Sequence, residues 1–152
     1  MIWKLFIVFL FLLSKGYAQK QENEYKKMID SAISIMCQKV LKPTENQGAK
    51  DLYLIDENNL DYNYTGMFAQ LGFKRINVLD SRNISVLKKG IHAWQIFPVL
   101  HDHILKITII EFFITYKSRN YNFGNGGGSE TIFEYSCSEN KWLLVKSDYR
   151  GL

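Results

Sequence analysis

The chain has 152 residues, a formal charge of +4, 47% hydrophobic and 14% aromatic content, and only two prolines. That composition excludes intrinsic disorder and supplies enough apolar mass for one packed core. Basic residues come in runs no longer than two, at Lys26-Lys27, Lys74-Arg75 and Lys88-Lys89. The dense Lys/Arg stripe that displaces counterions from nucleic acid is missing, so nucleic-acid binding is set aside.

The first residues read as an address. Lys4 gives a positive start, Leu5 to Leu13 (LFIVFLFLL) is an unbroken apolar run, and Ser14 to Ala18 (SKGYA) follows. Gly16 and Ala18 stand three and one positions before a cut ahead of Gln19, which is the layout of a secretory signal peptide. A bilayer span needs about 20 apolar residues, and this run is far shorter. The expected product is an exported protein, periplasmic or extracellular, with no transmembrane anchor in its mature form. Residues 19–152 are then a single α+β domain. Lys4 and Lys15 leave with the signal and no acid does, so the mature chain has 17 Lys and Arg against 15 Asp and Glu. Its charge is close to neutral.

From Glu22 to Leu41, Tyr25, Ile29, Ala32, Ile33, Met36 and Val40 recur at helical spacing, with Pro43 closing the segment. One apolar stripe of this width predicts an amphipathic helix packed on a sheet. Asp51 to Ile55 predicts a short strand. Thr65 caps a brief helix through Leu71 that Gly72 ends. Ile76 to Leu79 and Ile84 to Lys88 read as short strands, joined by a turn at Asp80-Ser81-Arg82-Asn83.

The C-terminal half predicts an antiparallel meander of Ile91–Val99, His103–Lys117, Glu130–Cys137 and Lys141–Ser147. In the longest strand the apolar phase flips near Ile109-Ile110: Leu105, Ile107 and Ile109 are odd, whereas Phe112, Ile114 and Tyr116 are even. A β-bulge that bends the strand explains the flip and keeps Lys106, Glu111 and Lys117 out of the core. The alternative is a central strand covered on both faces, which Phe113 supports. The fold class expected is α+β: an N-terminal amphipathic helix packed on a bent antiparallel meander of about four to six strands.

The run Ile114 to Leu152, with its FGNGGGS loop, its aromatic-Cys strand, its Lys-Trp strand and its terminal Gly-aliphatic pair, resembles small exported proteins of Gram-negative bacteria. That resemblance implies a periplasmic or extracellular setting and no particular mechanism. The order of elements is also similar to the cystatin-like and nuclear-transport-factor-2-like superfolds, which host enzymes, ligand binders and inert scaffolds alike.

Candidate chemistry is sparse. The histidines are His92, His101 and His103. His101-Asp102-His103 has the spacing of a metal pair but sits at an expected hairpin turn with no further ligand indicated. His92, beside Trp94, reads as a packed or edge residue. No nucleophile elbow or nucleophile-base arrangement is present. The glycines of Phe123–Ser129 lead into a strand and lack the G-K-[ST] of a phosphate loop, so they read as a flexible hairpin loop. Asn63-Tyr64-Thr65 and Asn83-Ile84-Ser85 match the N-glycosylation pattern, which a bacterial host leaves unused. Cys37 and Cys137, both retained after cleavage, permit a disulfide that would staple the helix to the final hairpin; two separate thiols are the alternative.

No catalytic, cofactor or metal site is therefore assigned. The expected function is a non-catalytic exported binding or interaction domain for an unknown small ligand or protein partner. Tyr62, Tyr64, Phe68 and Phe73 are its candidate recognition aromatics, unless they pack in the core. The alternative is a small hydrolase or metal-dependent enzyme using His101-Asp102-His103. Mass spectrometry of the exported protein is expected to find Gln19, or its cyclised form, at the N-terminus. Membrane-extracted protein that still carries Met1 would overturn the cleavage.

Overall fold

A computed structural model describes residues 24–40, 51–64 and 66–151. The signal segment, the stop at Pro43 and the cap at Thr65 lie outside the described residues. Residues 24–40 form helix α1. After it come β1 (Leu52–Ile55), α2 (Gly66–Gln70), β2 (Phe73–Lys74), a 3-10 turn (Ser81–Asn83), α3 (Ile84–Leu87), β3 (Ile91–His101), β4 (Ile104–Lys117), β5 (Asn120–Ser136) and β6 (Lys141–Gly151). The six strands make one curled sheet in the order β2-β1-β3-β4-β5-β6. No helix among the described residues is long and apolar enough to cross a membrane.

The architecture is α+β with an N-terminal helix, but the sheet is mixed and not a simple antiparallel meander. β3 to β6 pair antiparallel, whereas β1 lies parallel to both β2 and β3. A parallel neighbour requires a long crossover, and the segment between β1 and β3 supplies it. Two strands expected within that segment do not form. Ile84–Leu87 is a helical turn, with the Lys88 amide bonded to the Ile84 carbonyl, and Ile76 to Leu79 lies outside the sheet. Asp80 explains the switch: its carboxylate accepts from the Arg82 amide and starts the 3-10 turn. Ile76 and Val78 are buried, but as a cover laid on the sheet face.

α1 buries Ile29, Ala32, Ile33 and Met36 of the expected stripe together with Met28 and Cys37, while Tyr25 and Val40 at its ends are partly buried. It crosses one face of the sheet, and Leu54, Phe73, Trp94, Ile96, Leu105, Ile107, Ile109 and Phe133 meet it or the aromatics beside it. The opposite face has its own cluster, in which Ile76, Val78 and Leu87 cover Tyr53, Ile55, Ile91, Ala93 and Ile114. This double cover is the reason for the phase flip in β4. β4 runs in unbroken register against β3, from Ile91 opposite Ile114 to His101 opposite Ile104. Leu105, Ile107 and Ile109 point to the helix; Ile114 points to the other cover. The bulge inferred within β4 is thus corrected: both faces of β4 are buried, over different stretches of its length.

A bulge does occur nearby, on β5. Glu111 is opposite Gly127 and Phe112 is opposite Asn125, which leaves Gly126 as the extra residue. The flexible loop expected at Phe123–Ser129 is therefore also corrected, because those residues are strand. The hairpin turns at Ser118-Arg119, both in left-handed backbone with φ of 54° and 63°. Two-residue turns of this hand normally call for Asn or Gly, so the sequence pointed to the glycines instead. Gly128 has a different purpose: a Cβ there would lie 2.3 Å from the Ile109 carbonyl oxygen. Gly128→Ala forces β4 and β5 apart and is expected to cost about 2 kcal/mol in denaturant unfolding. Gly66→Ala, with nothing within 4 Å of the added carbon, is the control and is expected to stay within about 0.5 kcal/mol.

Candidate functional site

A groove of about 390 Å³ opens where the N-terminal half of α1 meets the loop after β1. Tyr25, Lys26 and Ile29 form the helix wall. Asp56, Glu57, Asp61, Tyr62 and Asn63 form the loop wall, and Ile96 and Pro98 of β3 lie at the floor. Its size is that of a small-molecule or single-side-chain pocket.

The loop wall is rigid for identifiable reasons. Asp56 Oδ1 accepts from the amides of Asn58 and Leu60 at 2.8 and 2.9 Å, closing a tight turn. Asn59 takes left-handed backbone, φ 63°. Beneath it, buried Gln95 donates to the Asp56 carbonyl and to Asn59 Oδ1 at 3.1 and 3.2 Å. The chain then returns beside β1, where the Tyr62 amide bonds to the Leu54 carbonyl. No buried side-chain polar atom is left without a partner among the described residues.

Tyr62 ties this wall to the helix. Its hydroxyl donates to Asp30 Oδ1 at 3.1 Å, and the Lys26 ammonium lies 4.7 Å from its ring centroid and 3.6 Å from the same carboxylate. Lys26 also donates to the Asn63 carbonyl. Burial, reinforced by the Asp30 charge, pushes the Tyr62 hydroxyl far above the usual phenol range. Burial, and then Glu57, raise Tyr25 as well. Both phenols stay neutral; the single Tyr62 proton is held by Asp30, and both rings line the groove.

The carboxylates differ in how far they are committed. Asp30 is matched by Lys26, and Asp56 is occupied by its turn. Glu57 makes no ion pair among the described residues, and Asp61 has only a long contact, 4.0 Å to Arg75. Because Lys26 already lies over the Tyr62 ring, the cation-attracting groups left at the rim are the Tyr25 ring and the Glu57 and Asp61 carboxylates, above an aliphatic floor.

Of the four candidate recognition aromatics, only Tyr62 lines this groove. Tyr64, Phe68 and Phe73 are buried and stack edge-to-face in sequence, ending on Trp94. The hydroxyl of Tyr64 is satisfied by the Phe73 carbonyl at 2.8 Å. Asp30 and Glu57, a helix-surface acid and a loop acid, carry no sequence signal of their own, and Tyr25 is visible in the sequence only as a packing residue of the stripe. The position of Tyr25 on the edge of the apolar stripe was the one available hint.

The histidines are dispersed. His101 and His103 flank Asp102 at the tip of the β3–β4 hairpin, all three exposed. His101 faces Asp102 at 3.1 Å, whereas His103 faces Glu134 at 3.4 Å. His92 is half-buried on β3, beside the Phe113 ring and 3.7 Å from Glu111. Among the described residues no three His, Cys, Asp or Glu side chains converge as a metal set.

Both cysteines are free thiols, so the disulfide that the sequence permits is not formed in this structure. Cys37 is buried between α1 and the sheet, and Cys137 is exposed beyond the end of β5. Comparison with protein-family models, curated proteins and solved structures gives no match.

Burial raises the Cys37 thiol to about 11, which suppresses its nucleophilic thiolate. A thiol-disulfide reagent at pH 8 is therefore expected to label Cys137 promptly in the folded protein, and Cys37 only after unfolding. Two thiols per chain should titrate in denaturant without reductant. A count of none would establish the bridge.

Proposed function

We propose that this is a non-catalytic binding domain, exported in its mature form, whose ligand seat is the groove between α1 and the Asp56–Asn63 loop. The observation that carries the reading is the pairing of the Tyr25 ring with under-committed Glu57 and Asp61 around an aliphatic floor. An aromatic face attracts a cation through its ring quadrupole, contributing about 0.5–1 kcal/mol at an exposed site. A carboxylate within a Debye length adds an attraction that salt weakens. The ligand class this favours is an amine or guanidinium on an aliphatic stem, such as a lysine side chain of a partner protein. The signal-like N-terminus and the resemblance of the C-terminal half to exported bacterial proteins support the setting.

A binding role is favoured over catalysis because the groove's ionisable groups are neutral phenols, surface carboxylates and the lysine paired with Asp30. Among the described residues lining the groove, no nucleophile stands beside a general base. The enzyme reading based on His101-Asp102-His103 receives no support from their geometry, since the two imidazoles engage different carboxylates on an open hairpin tip.

The test is titration of isotope-labelled protein with a short oligolysine peptide, followed by amide chemical shifts. Shifts should centre on residues 25–30 and 56–63 and weaken with added salt. Glu57→Gln with Asp61→Asn is expected to reduce affinity by about two- to thirtyfold, since each rim charge contributes about 0.2–1 kcal/mol. Shifts confined to other surfaces, or none, would refute the proposed seat.

A further inference from the structure

The two edges of the sheet are unequal. β2 is only two residues long, whereas β6 presents eleven residues and, among the described residues, pairs only with β5. A long open edge is a template for another strand, and proteins usually blunt it with short length, proline or charge. β6 has no proline, and it exposes an apolar pair: Leu144 is 53% and Val145 57% accessible. Val145 is the extra residue of a bulge, because Ile132 faces Lys146 while Phe133 faces Leu144. Beyond the bulge, Lys146 and Asp148 form an ion pair at 2.6 Å on either side of Ser147.

That arrangement is self-complementary. If two β6 strands pair antiparallel about a two-fold axis at Ser147, Lys146 of each copy stands opposite Asp148 of the other. The two intrastrand ion pairs then join into a ring of four alternating charges. The exposed Leu144-Val145 bulge then lies beside Tyr149 and Arg150 of the second copy, at the end of the regular register. We propose that β6 is a homodimer interface, pairing with a second copy of itself about Ser147 to give one continuous twelve-stranded sheet. Such a contact is isologous, the commonest closed symmetry, and cross-strand pairs of opposite charge fix its register.

The chain also holds a restraint on this pairing. Lys39 Nζ, from the last turn of α1, donates to the Ser147 carbonyl at 2.7 Å. That oxygen is the edge acceptor that the second copy's Ser147 amide would take, so Lys39 must release it when the dimer forms. Lys39 competes with dimerisation.

Sedimentation equilibrium of the mature protein, from micromolar to about 1 mM, tests the proposal. The expected result is a reversible monomer–dimer equilibrium. Lys39→Ala should tighten it by at least about threefold. Asp148→Lys sets lysine against lysine twice and should weaken it by at least about tenfold. Lys146→Asp combined with Asp148→Lys inverts the ring without changing its pattern and should restore dimerisation. Circular dichroism on each variant separates loss of pairing from loss of fold. A monomer throughout that range, an Asp148→Lys variant that folds and still dimerises, or a folded double exchange that fails to restore pairing would overturn the proposal.

Discussion

Everything in this fold hangs on the ladder between β3 and β4, eleven facing pairs with no slip from Ile91–Ile114 to His101–Ile104. Because side chains alternate between faces, this one register decides which residues meet α1 and which meet the Ile76–Leu87 cover. Trp94 and Ile96 on β3 align with Glu111 and Ile109 on β4, on the helix side. Ile91 and Ala93 align with Ile114 and Phe112 on the other. A slip of one residue would put Leu105, Ile107 and Ile109 into water and drive Lys106 beneath the helix. Fully burying each branched side chain contributes about 1.5–3 kcal/mol, so the slipped state is far out of reach.

The same ladder reaches the groove. Gln95 is one position from Ile96, so their side chains leave opposite faces of β3: Ile96 forms the groove floor, and Gln95 holds the loop wall through the Asp56 carbonyl. Helix α1 supplies the other wall only because its apolar stripe is pinned to the same strands. A buried polar residue with several partners sits beneath the loop. That is the arrangement expected where a loop must be held in one conformation and not merely tethered.

Periodicity made the larger elements legible. The helical stripe of α1 and the β-rich runs of β3 and β4 were plain because their apolar spacing and their burial coincide, whereas β6 was legible from its β-rich residues alone, its Leu144 and Val145 being exposed. The failures share one cause: a local pattern compatible with two tertiary solutions. Ile76 and Val78 alternate as a strand would, but they alternate against a sheet face and not within a ladder. The phase flip in β4 fitted either a bulge or two covers, and only the placement of Leu87 and Val78 on the far side decides between them. Ser118-Arg119 adopts a backbone that its residue types do not advertise, while the glycines that do advertise a turn relieve a close backbone approach. Of the groove, Tyr62 was legible as an aromatic in an irregular stretch. The acids around it were not, since their convergence is created by α1 docking beside a loop about thirty residues away in sequence.

The reach of α1 has a consequence for how the chain acquires its structure. Its C-terminal turns contact the last strands made: Met36 meets Ser129 across 93 positions, and Lys39 meets Ser147 across 108. The helix is made before the strands it packs on, and its platform is complete only after them. Until β5 and β6 exist, its stripe has no complete surface to cover. The hairpins β3–β4 and β4–β5 close locally over two-residue turns, so assembly starts there at low loop-closure cost. The N-terminal segment joins at the end, as a clasp. A chain wired this way can seat its helix fully only once β5 and β6 have been made.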